Sequence, residues 1–234
     1  MIRLLFVAAS LLALAAPAHA DPDALWKITH DKCVPDQQEH GQPAPCAKVD
    51  LNAGYVILKD LIGDTQYLLM PTAKITGIDD PAVLAPDARN YFADSWAERH
   101  YTEDAAKRAL PRETLSLAIN SVTARSQNQL HIHIDCLKPQ VIAILRKQKF
   151  SDRWSPVHFA SLHTYEARRL DSDDLDENPF TLLAAHAKDM SRETLVVAGS
   201  EDGFILLSDT ASGSDKASGE ELLDHECAVN QMKE

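Results

Sequence analysis

The feature that most constrains the fold of this chain is a strictly alternating run over residues 127–136, read as QNQLHIHIDC. One set of alternate positions is apolar: Leu130, Ile132, Ile134 and Cys136. The other set is polar: Gln129, His131, His133 and Asp135. Successive side chains of a strand point to opposite faces, so the run predicts a half-buried strand with its polar face turned away from the core.

Two imidazoles on this strand suit nucleophilic or acid–base work, because histidine titrates near neutral pH and a strand holds it rigidly. Two other interpretations stay open on the residues alone. His131, His133 and Asp135 could converge on one transition-metal ion, since imidazole suits zinc, copper and iron. They could also belong to an ordinary surface strand, which is the first choice in a chain with ten histidines.

The same run resembles the signature of the histidine-triad superfamily of nucleotide hydrolases and transferases, in which three histidines alternate with apolar residues. His131 and His133 stand at the second and third histidine positions, and Gln129 stands at the first. Ser126 lies five residues before His131, where the superfamily has a phosphate-binding hydroxyl. With these neighbours, the resemblance favours a catalytic strand over a surface strand.

Other stretches resemble the same superfamily and then one branch of it. Residues 66–80 (QYLLMPTAKITGIDD) are similar to its strand before the first long helix, and residues 115–121 (LSLAINS) to its strand with an active-site asparagine, here Asn120. Further stretches resemble the bacterial CDP-diacylglycerol pyrophosphatase family, and they cover most of the chain after residue 20. They are residues 33–38, 43–61, 116–139, 163–169 (HTYEARR) and 218–227 (SGEELLDHEC).

The resemblance implies hydrolysis of CDP-diacylglycerol to CMP and phosphatidate at a membrane surface, with no cofactor and no bound metal. His131 would attack the α-phosphorus while its other ring nitrogen donates to a backbone carbonyl, and water would cleave the CMP–histidine intermediate. His133 would hold a phosphate oxygen, with Asn120 and Ser126 as neutral donors. Gln129 could orient its neighbours but could not carry a proton.

The charge of the chain narrows the range of partners. A formal net charge of −12 argues against general nucleic-acid binding, because the protein would repel phosphate backbones. An anionic substrate therefore needs a local basic pocket, for which the best candidate is Arg125, beside Ser126; the others are Lys74, Lys138, Arg168 and Arg169. Residues 163–169 are expected to shape the lipid or the cytidine end, or else Arg168 and Arg169 pair with the acidic residues that follow.

Two further functions remain open on the sequence. One is a hydrolase or nucleotidyltransferase that acts on other nucleotide diphosphates. The other is a periplasmic module that binds metal or nucleotide without catalysis. The sequence does not indicate an oligomeric state.

Residues 1–20 have the pattern of a secretory signal peptide. Arg3 supplies the positive charge, residues 4–16 are apolar, and Ala18-His19-Ala20 is a small-x-small cleavage motif. An uncleaved membrane anchor is the alternative, although the apolar run is shorter than the roughly 20 residues that span a bilayer. We expect an exported protein of the periplasm or of the periplasmic face of the inner membrane.

Export makes disulfides the expected state of the four cysteines. Three pairings are open, and we favour Cys33 with Cys46, which closes a proline-rich loop, and Cys136 with Cys227, which ties the C-terminal end to the catalytic strand. Zinc is the competing interpretation, because some histidine-triad proteins bind it through a close cysteine pair. Here 12 residues separate Cys33 from Cys46, which weakens that alternative.

The order of predicted elements indicates an α+β fold of the histidine-triad type, with helices packed on an antiparallel sheet. We expect hairpin strands at 55–59 and 66–70, a main helix over 86–109, a polar loop over 34–45, and a C-terminal helix that begins at Ser218. Residues 21–150 form the predicted catalytic half. Residues 151–234 form a second α+β half on the same domain, which could be a degenerate repeat without a His-x-His run.

Overall fold

Ten strands form one continuous antiparallel sheet, seen in a computed structural model that describes residues 21–159 and 163–228. The neighbour order is β1-β2-β3-β5-β4-β8-β9-β7-β6, and β10 pairs with β5 outside this path. The strands are β1 (Lys48–Asp50), β2 (Tyr55–Lys59), β3 (Tyr67–Pro71), β4 (Leu115–Ile119), β5 (Ile132–Leu137), β6 (Ser155–His158), β7 (Thr164–Leu170), β8 (Glu193–Ser200), β9 (Gly203–Thr210) and β10 (Leu223–Asp224).

Short helices connect and cover these strands. They are α1 (Ala24–Ile28), α2 (Val34–His40), α3 (Tyr91–Ala97), α4 (His100–Ala105), α5 (Pro139–Lys147) and α6 (Pro179–Ala184). Because every strand pair is antiparallel and the helices pack on one sheet, the predicted α+β class is confirmed. The predicted signal peptide lies outside the described residues.

One face of the sheet packs against α3, α4 and α6. Trp96 of α3 meets Phe204 of β9 edge to face at 4.9 Å, and Phe92 meets Phe180 of α6 at the same centroid distance. All four rings are almost completely buried. Large rings at a helical period thus join the helices to the sheet and form the main core.

The opposite face carries the N-terminal helices over β2 and β3. A small separate core forms there from the Cys33–Cys46 disulfide with Val56, Leu68 and Met70. Leu68 lies directly opposite His133 in the β3–β5 ladder, and paired residues of a ladder share a face. The N-terminal helices therefore border the face on which the histidines lie.

Three predicted elements differ from the structure. The predicted helix over 86–109 is shorter and divided into α3 and α4, because the Asn90 side chain caps α3 by accepting from the Ala93 amide at 3.1 Å, and the helix breaks after Ala97. The predicted loop over 34–45 contains α2, which ends at Gly41 in a left-handed conformation. The predicted C-terminal helix is a single 3₁₀ turn, Gly219–Leu222, followed by β10.

Both predicted disulfides are confirmed. Cys33 is bonded to Cys46 and Cys136 to Cys227, and the chain has no free cysteine. Such bonds are consistent with an exported protein. Within residues 21–159 and 163–228, no helix has the length and apolar character needed to cross a membrane.

The disulfides should contribute unequally to stability because they close loops of different length. Replacing Cys136 and Cys227 with Ser opens a 91-residue separation and should lower the free energy of unfolding by about 4.5 kcal/mol. The same change at Cys33 and Cys46 opens a separation of 13 residues and should cost about 3 kcal/mol. Urea unfolding of the two double variants measures this difference, and equal losses would contradict it.

Candidate active site

The histidine strand is buried on both faces, and the prediction of a half-buried strand is wrong. The polar residues Gln129, His131, His133 and Asp135 are as buried as the apolar residues between them. His131 also lies one residue before β5, which begins at Ile132. Alternation correctly separates the two faces, but it cannot show that a second layer covers the polar one.

The covering layer is the C-terminal segment, residues 215–227. Leu223 and Asp224 of β10 pair with Leu137 and Cys136, so this segment is hydrogen-bonded to β5. Farther back, Gly219 lies so close to the sheet that an added Cβ would fall 2.9 Å from Val196 and 3.3 Å from Ala118. Glycine therefore allows the segment to cross the middle of the sheet.

His131 is held in the orientation expected from the sequence. Its Nδ1 lies 2.6 Å from the carbonyl oxygen of Gln129, so Nδ1 carries the proton that it donates and Nε2 is left without one. Burial, together with the nearby His133, lowers the pKa of His131 to about 4. The ring is therefore neutral at pH 7, with a free nitrogen lone pair.

His133 lies beside His131 and faces two carboxylates. The two rings meet edge to face with centroids 5.1 Å apart. Glu220 Oε1 lies 3.2 Å from His133 Nε2, although the alignment is not that of a hydrogen bond, and Asp60 Oδ2 lies 4.0 Å from Nδ1. Burial lowers the pKa of His133 to about 4, because the loss of hydration outweighs the attraction of Asp60.

Asn120 joins this pair through the C-terminal segment. Its Nδ2 donates to Glu220 Oε1, the oxygen that faces His133, and its Oδ1 accepts from Ser218 Oγ at 3.2 Å. The structure thus brings together Asn120 and His133, which the sequence predicts as site residues, and Glu220, which it does not. The second N–H of the Asn120 amide and the N–H of the His133 ring can donate to a phosphate group placed beside His131, whereas the Glu220 carboxylate can only accept.

Gln129 has a structural role. Its Nε2 donates to the carbonyl oxygens of Pro71 at 2.9 Å and Ala73 at 3.0 Å. These bonds tie the residue before the histidines to the end of β3. The Gln129 side chain therefore fixes the backbone that carries the Gln129 carbonyl and, through it, the ring of His131.

Asp135 anchors the far end of the polar face. Its Oδ1 accepts from Thr65 Oγ1 at 2.8 Å, and its Oδ2 lies 2.7 Å from His225 Nδ1. Hydrogen bonding to this carboxylate raises the pKa of His225, while burial raises the pKa of Asp135. Asp135, Cys136 and Cys227 also lie within metal-ligand distance of one another, but the two sulfurs are consumed by the disulfide.

Three other predicted site residues have no described contact with the histidines. Arg125 forms an ion pair with Asp79, and Lys74 lies 5.7 Å above the Trp26 ring and 3.8 Å from Asp23. Ser126 is exposed, in the loop before the histidines. Their assignment to substrate binding stays a prediction.

The sequence did not identify Glu220, Asp60 and His225 as members of the site. Glu220 and His225 belong to the stretch 218–227, which resembles the family, but the sequence predicts only a helix there and no role for its polar residues. Asp60 has no sequence signal, because it enters the site from the turn between β2 and β3.

A cavity of about 770 Å³ lies elsewhere on the molecule. Its apolar wall includes Ile142, Phe150 and Ile205, and Arg146 and Arg169 lie at its rim. None of the candidate site residues lines it. Since the end of β8 at this cavity lies beside the start of β4, while His133 pairs with Ala118 near the end of β4, the cavity is separate from the site described above.

The buried histidines should make the protein less stable in acid. Each has a pKa near 4 when folded and an ordinary value of 6.5, so the unfolded chain binds more protons between these values. Lowering the pH from 7.5 to 5.5 should therefore cost about 1 kcal/mol per histidine. Urea unfolding at both pH values measures the loss, and the double variant His131→Asn/His133→Asn should lose correspondingly less. Equal losses in the variant and the parent would contradict this origin.

Comparison with known proteins gives one consistent result. The family model described as CDP-diacylglycerol pyrophosphatase matches residues 20–231. A curated CDP-diacylglycerol pyrophosphatase of Yersinia pestis is 42% identical over 221 residues, which are 90% of this chain and 86% of that relative. The matched region includes the histidine strand and the C-terminal segment that covers it. The chain therefore belongs to the CDP-diacylglycerol pyrophosphatase family.

Proposed function

We propose that this protein hydrolyses CDP-diacylglycerol to CMP and phosphatidate, with His131 as the nucleophile. The observation that carries the proposal is the contact between His131 Nδ1 and the Gln129 carbonyl, which directs the unprotonated Nε2 away from the backbone. Family membership supports the substrate, since the matched relative is named for that activity.

The first step forms a bond between His131 Nε2 and the α-phosphorus of the substrate. The bond from that phosphorus to the bridging oxygen breaks, and phosphatidate leaves with the electron pair. Phosphatidate is a phosphate monoester with a second pKa of about 6, so it can leave without receiving a proton. This is consistent with an amide, Gln129, at the first triad position, where a proton donor is not required.

The second step releases CMP. Water attacks the same phosphorus, the N–P bond breaks, and the proton of water passes to solvent. His133 and Asn120 would donate to the phosphate oxygens as negative charge develops on them. Glu220 holds the Asn120 amide and faces His133, so we assign it a positioning role. Three predicted phosphate ligands have no described contact with the histidines: Ser126, Arg125 and Lys74. Binding of the substrate would have to bring them to its phosphates.

The fold supports a histidine-triad-like origin with an internal repeat. The strands of the first half have the neighbour order β2-β3-β5-β4, and those of the second half have the equivalent order β6-β7-β9-β8. The halves, residues 21–150 and 151–234, join through β4 and β8 in one sheet. β9, the strand equivalent to β5, has no His-x-His run, so the second half would be catalytically empty.

The turn between β2 and β3 supports contact with a membrane surface. Leu61 is fully exposed and Ile62 is 55% exposed, which is unusual for adjacent large apolar residues. Asp60, in the same turn, lies 4.0 Å from His133. Insertion of this turn into a bilayer would therefore place the histidines close to the headgroups of lipid substrates.

The assignment of His131 as the nucleophile predicts that three variants lose turnover to different extents. His131→Ala should lower turnover of CDP-diacylglycerol by about 10⁴-fold or more, because no nucleophile remains. His133→Ala should lower it by about 10²- to 10³-fold, because it removes one group that stabilises charge. Gln129→Ala should lower it by less than about tenfold. Steady-state assays in detergent micelles give the three rates.

Stability measurements separate these effects from misfolding. Gln129→Ala leaves the buried carbonyl of Pro71 and the partly buried carbonyl of Ala73 without their donor, so it should lose about 1–3 kcal/mol of stability while keeping most of its rate. A nearly normal rate for His131→Ala, together with an inactive His133→Ala, would move the nucleophile to His133. Turnover of CDP-choline or diadenosine polyphosphates in preference to CDP-diacylglycerol would contradict the lipid substrate.

The membrane assignment predicts that charge on the β2–β3 turn weakens binding to vesicles. The double variant Leu61→Asp/Ile62→Asp should bind anionic phospholipid vesicles about tenfold more weakly, because two apolar side chains no longer enter the bilayer. Co-sedimentation measures the binding. Leu51→Asp/Leu84→Asp, which adds the same charge at two other exposed apolar residues, is the matched control and should leave binding unchanged. Equal binding by all three proteins would rule out the turn as the contact.

A further inference from the structure

A second polar cluster lies on the histidine face, in the other half of the sheet. Ala118, opposite His133, pairs with Val196, and Val196 pairs with Leu207, so these residues share a face. Asp209 follows Leu207 by two positions on β9 and therefore lies on that face as well. The C-terminal segment crosses between the two clusters at Gly219, which lies against Ala118 and Val196.

The second cluster consists of one imidazole and three carboxylates from separate parts of the chain. His163 Nδ1 lies 3.2 Å from Glu221 Oε1, 3.4 Å from Asp215 Oδ1 and 3.7 Å from Asp209 Oδ2. Ligands about 2.0–2.1 Å from a tetrahedral zinc ion lie roughly 3.3 Å from one another. The distances from the imidazole to the oxygens are therefore close to those between ligands of a tetrahedral site.

One carboxylate oxygen in this cluster has no hydrogen-bond donor. The side chain of Asp209 is only 9% exposed, and its Oδ2, the oxygen that faces His163, is buried without a hydrogen-bond partner. A buried carboxylate oxygen without a donor or a cation is costly. The lack of a hydrogen-bond donor to Asp209 Oδ2 is a separate observation from the clustering of the four side chains. It indicates a ligand that supplies positive charge.

Lysine and arginine side chains do not neutralise these carboxylates in the part of the chain that the structure describes. Across residues 21–159 and 163–228, no lysine or arginine lies within ion-pair distance of Asp209, Asp215 or Glu221. Tyr165 donates to Glu221 Oε1 at 2.8 Å, which is the kind of outer contact that orients a metal-ligating carboxylate. His163 is half exposed, so an ion has a path from solvent.

We propose that His163, Asp209 and Asp215, whose ligand atoms lie within 4.8 Å of one another, bind one zinc ion, which Glu221 approaches as the fourth ligand. A nitrogen ligand with three carboxylate oxygens suits zinc better than calcium or magnesium, which prefer oxygen ligands only. The sequence predicts no metal, because Asp209 and Asp215 lie in no motif and approach His163 only through the β7–β9 pairing. The candidate ligands come from β9, the residue before β7, and the C-terminal segment.

The proposed ion would also hold the segment that completes the catalytic site. Asp215 and Glu221 stand at the two ends of residues 215–221, and Ser218 and Glu220 between them contact Asn120. An ion that fixes both ends would limit the movement of this stretch over the sheet. The proposal does not depend on the catalytic one, because its test is binding.

Equilibrium dialysis of untagged, metal-free protein against zinc, followed by metal analysis, tests the site. We expect one zinc per chain with a micromolar or tighter dissociation constant, and no such binding by His163→Ala or Asp209→Asn. His40→Ala is the matched control, since His40 is an exposed histidine paired with Asp36, and it should bind zinc like the parent.

Thermal unfolding gives a second readout. Zinc at about 100 times its dissociation constant should raise the unfolding midpoint of the parent by about 5 °C, and EDTA should reverse the rise. His163→Ala should show no rise, and because its side chain is half exposed it should keep its fold. Absence of stoichiometric zinc in the parent, or equal zinc binding by parent and both ligand variants, would overturn the proposal.

Discussion

The pairing of the C-terminal segment with the histidine strand is the interaction on which the candidate site depends. β10 hydrogen-bonds to β5, the Cys136–Cys227 disulfide fixes the same contact covalently, and Asp135 binds His225 beside it. This contact covers the polar face of β5 and brings Glu220 to His133. Without it, the histidines would face solvent and Asn120 would lose both of its described side-chain partners.

Covering the histidines changes their chemistry as well as their exposure. An imidazole in water is partly protonated near neutral pH, but burial lowers the pKa of His131 to about 4. We expect lower stability in acid as the cost, and the ring is neutral throughout the physiological range, as the proposed nucleophile must be. The hydrogen bond to the Gln129 carbonyl then selects which nitrogen keeps its lone pair.

The sequence predicted the parts of this structure that depend on local pattern. Alternation located β5, and export together with the cysteine count led to both disulfides. One difference from the predicted elements is local: Val34–His40 forms a helix despite Pro35, because proline is tolerated in a first helical turn. The other differences depend on distant contacts. Residues 219–222 form only one turn because β10 pairs with β5. Asp60 and Glu220 could not be predicted, since only the folded chain places their side chains beside His133.

The proposed mechanism requires that His131 become covalently bonded to phosphorus. Mixing the protein with CDP-diacylglycerol, quenching in alkali and measuring the intact mass tests this most directly. The proposed mechanism predicts a transient increase in mass equal to one cytidylyl group. Peptide mapping should locate this group on His131, and the His131→Ala variant should lack it. His133→Ala should still form the adduct, more slowly. An adduct on any other residue, or full turnover by His131→Ala, would rule out His131 as the nucleophile.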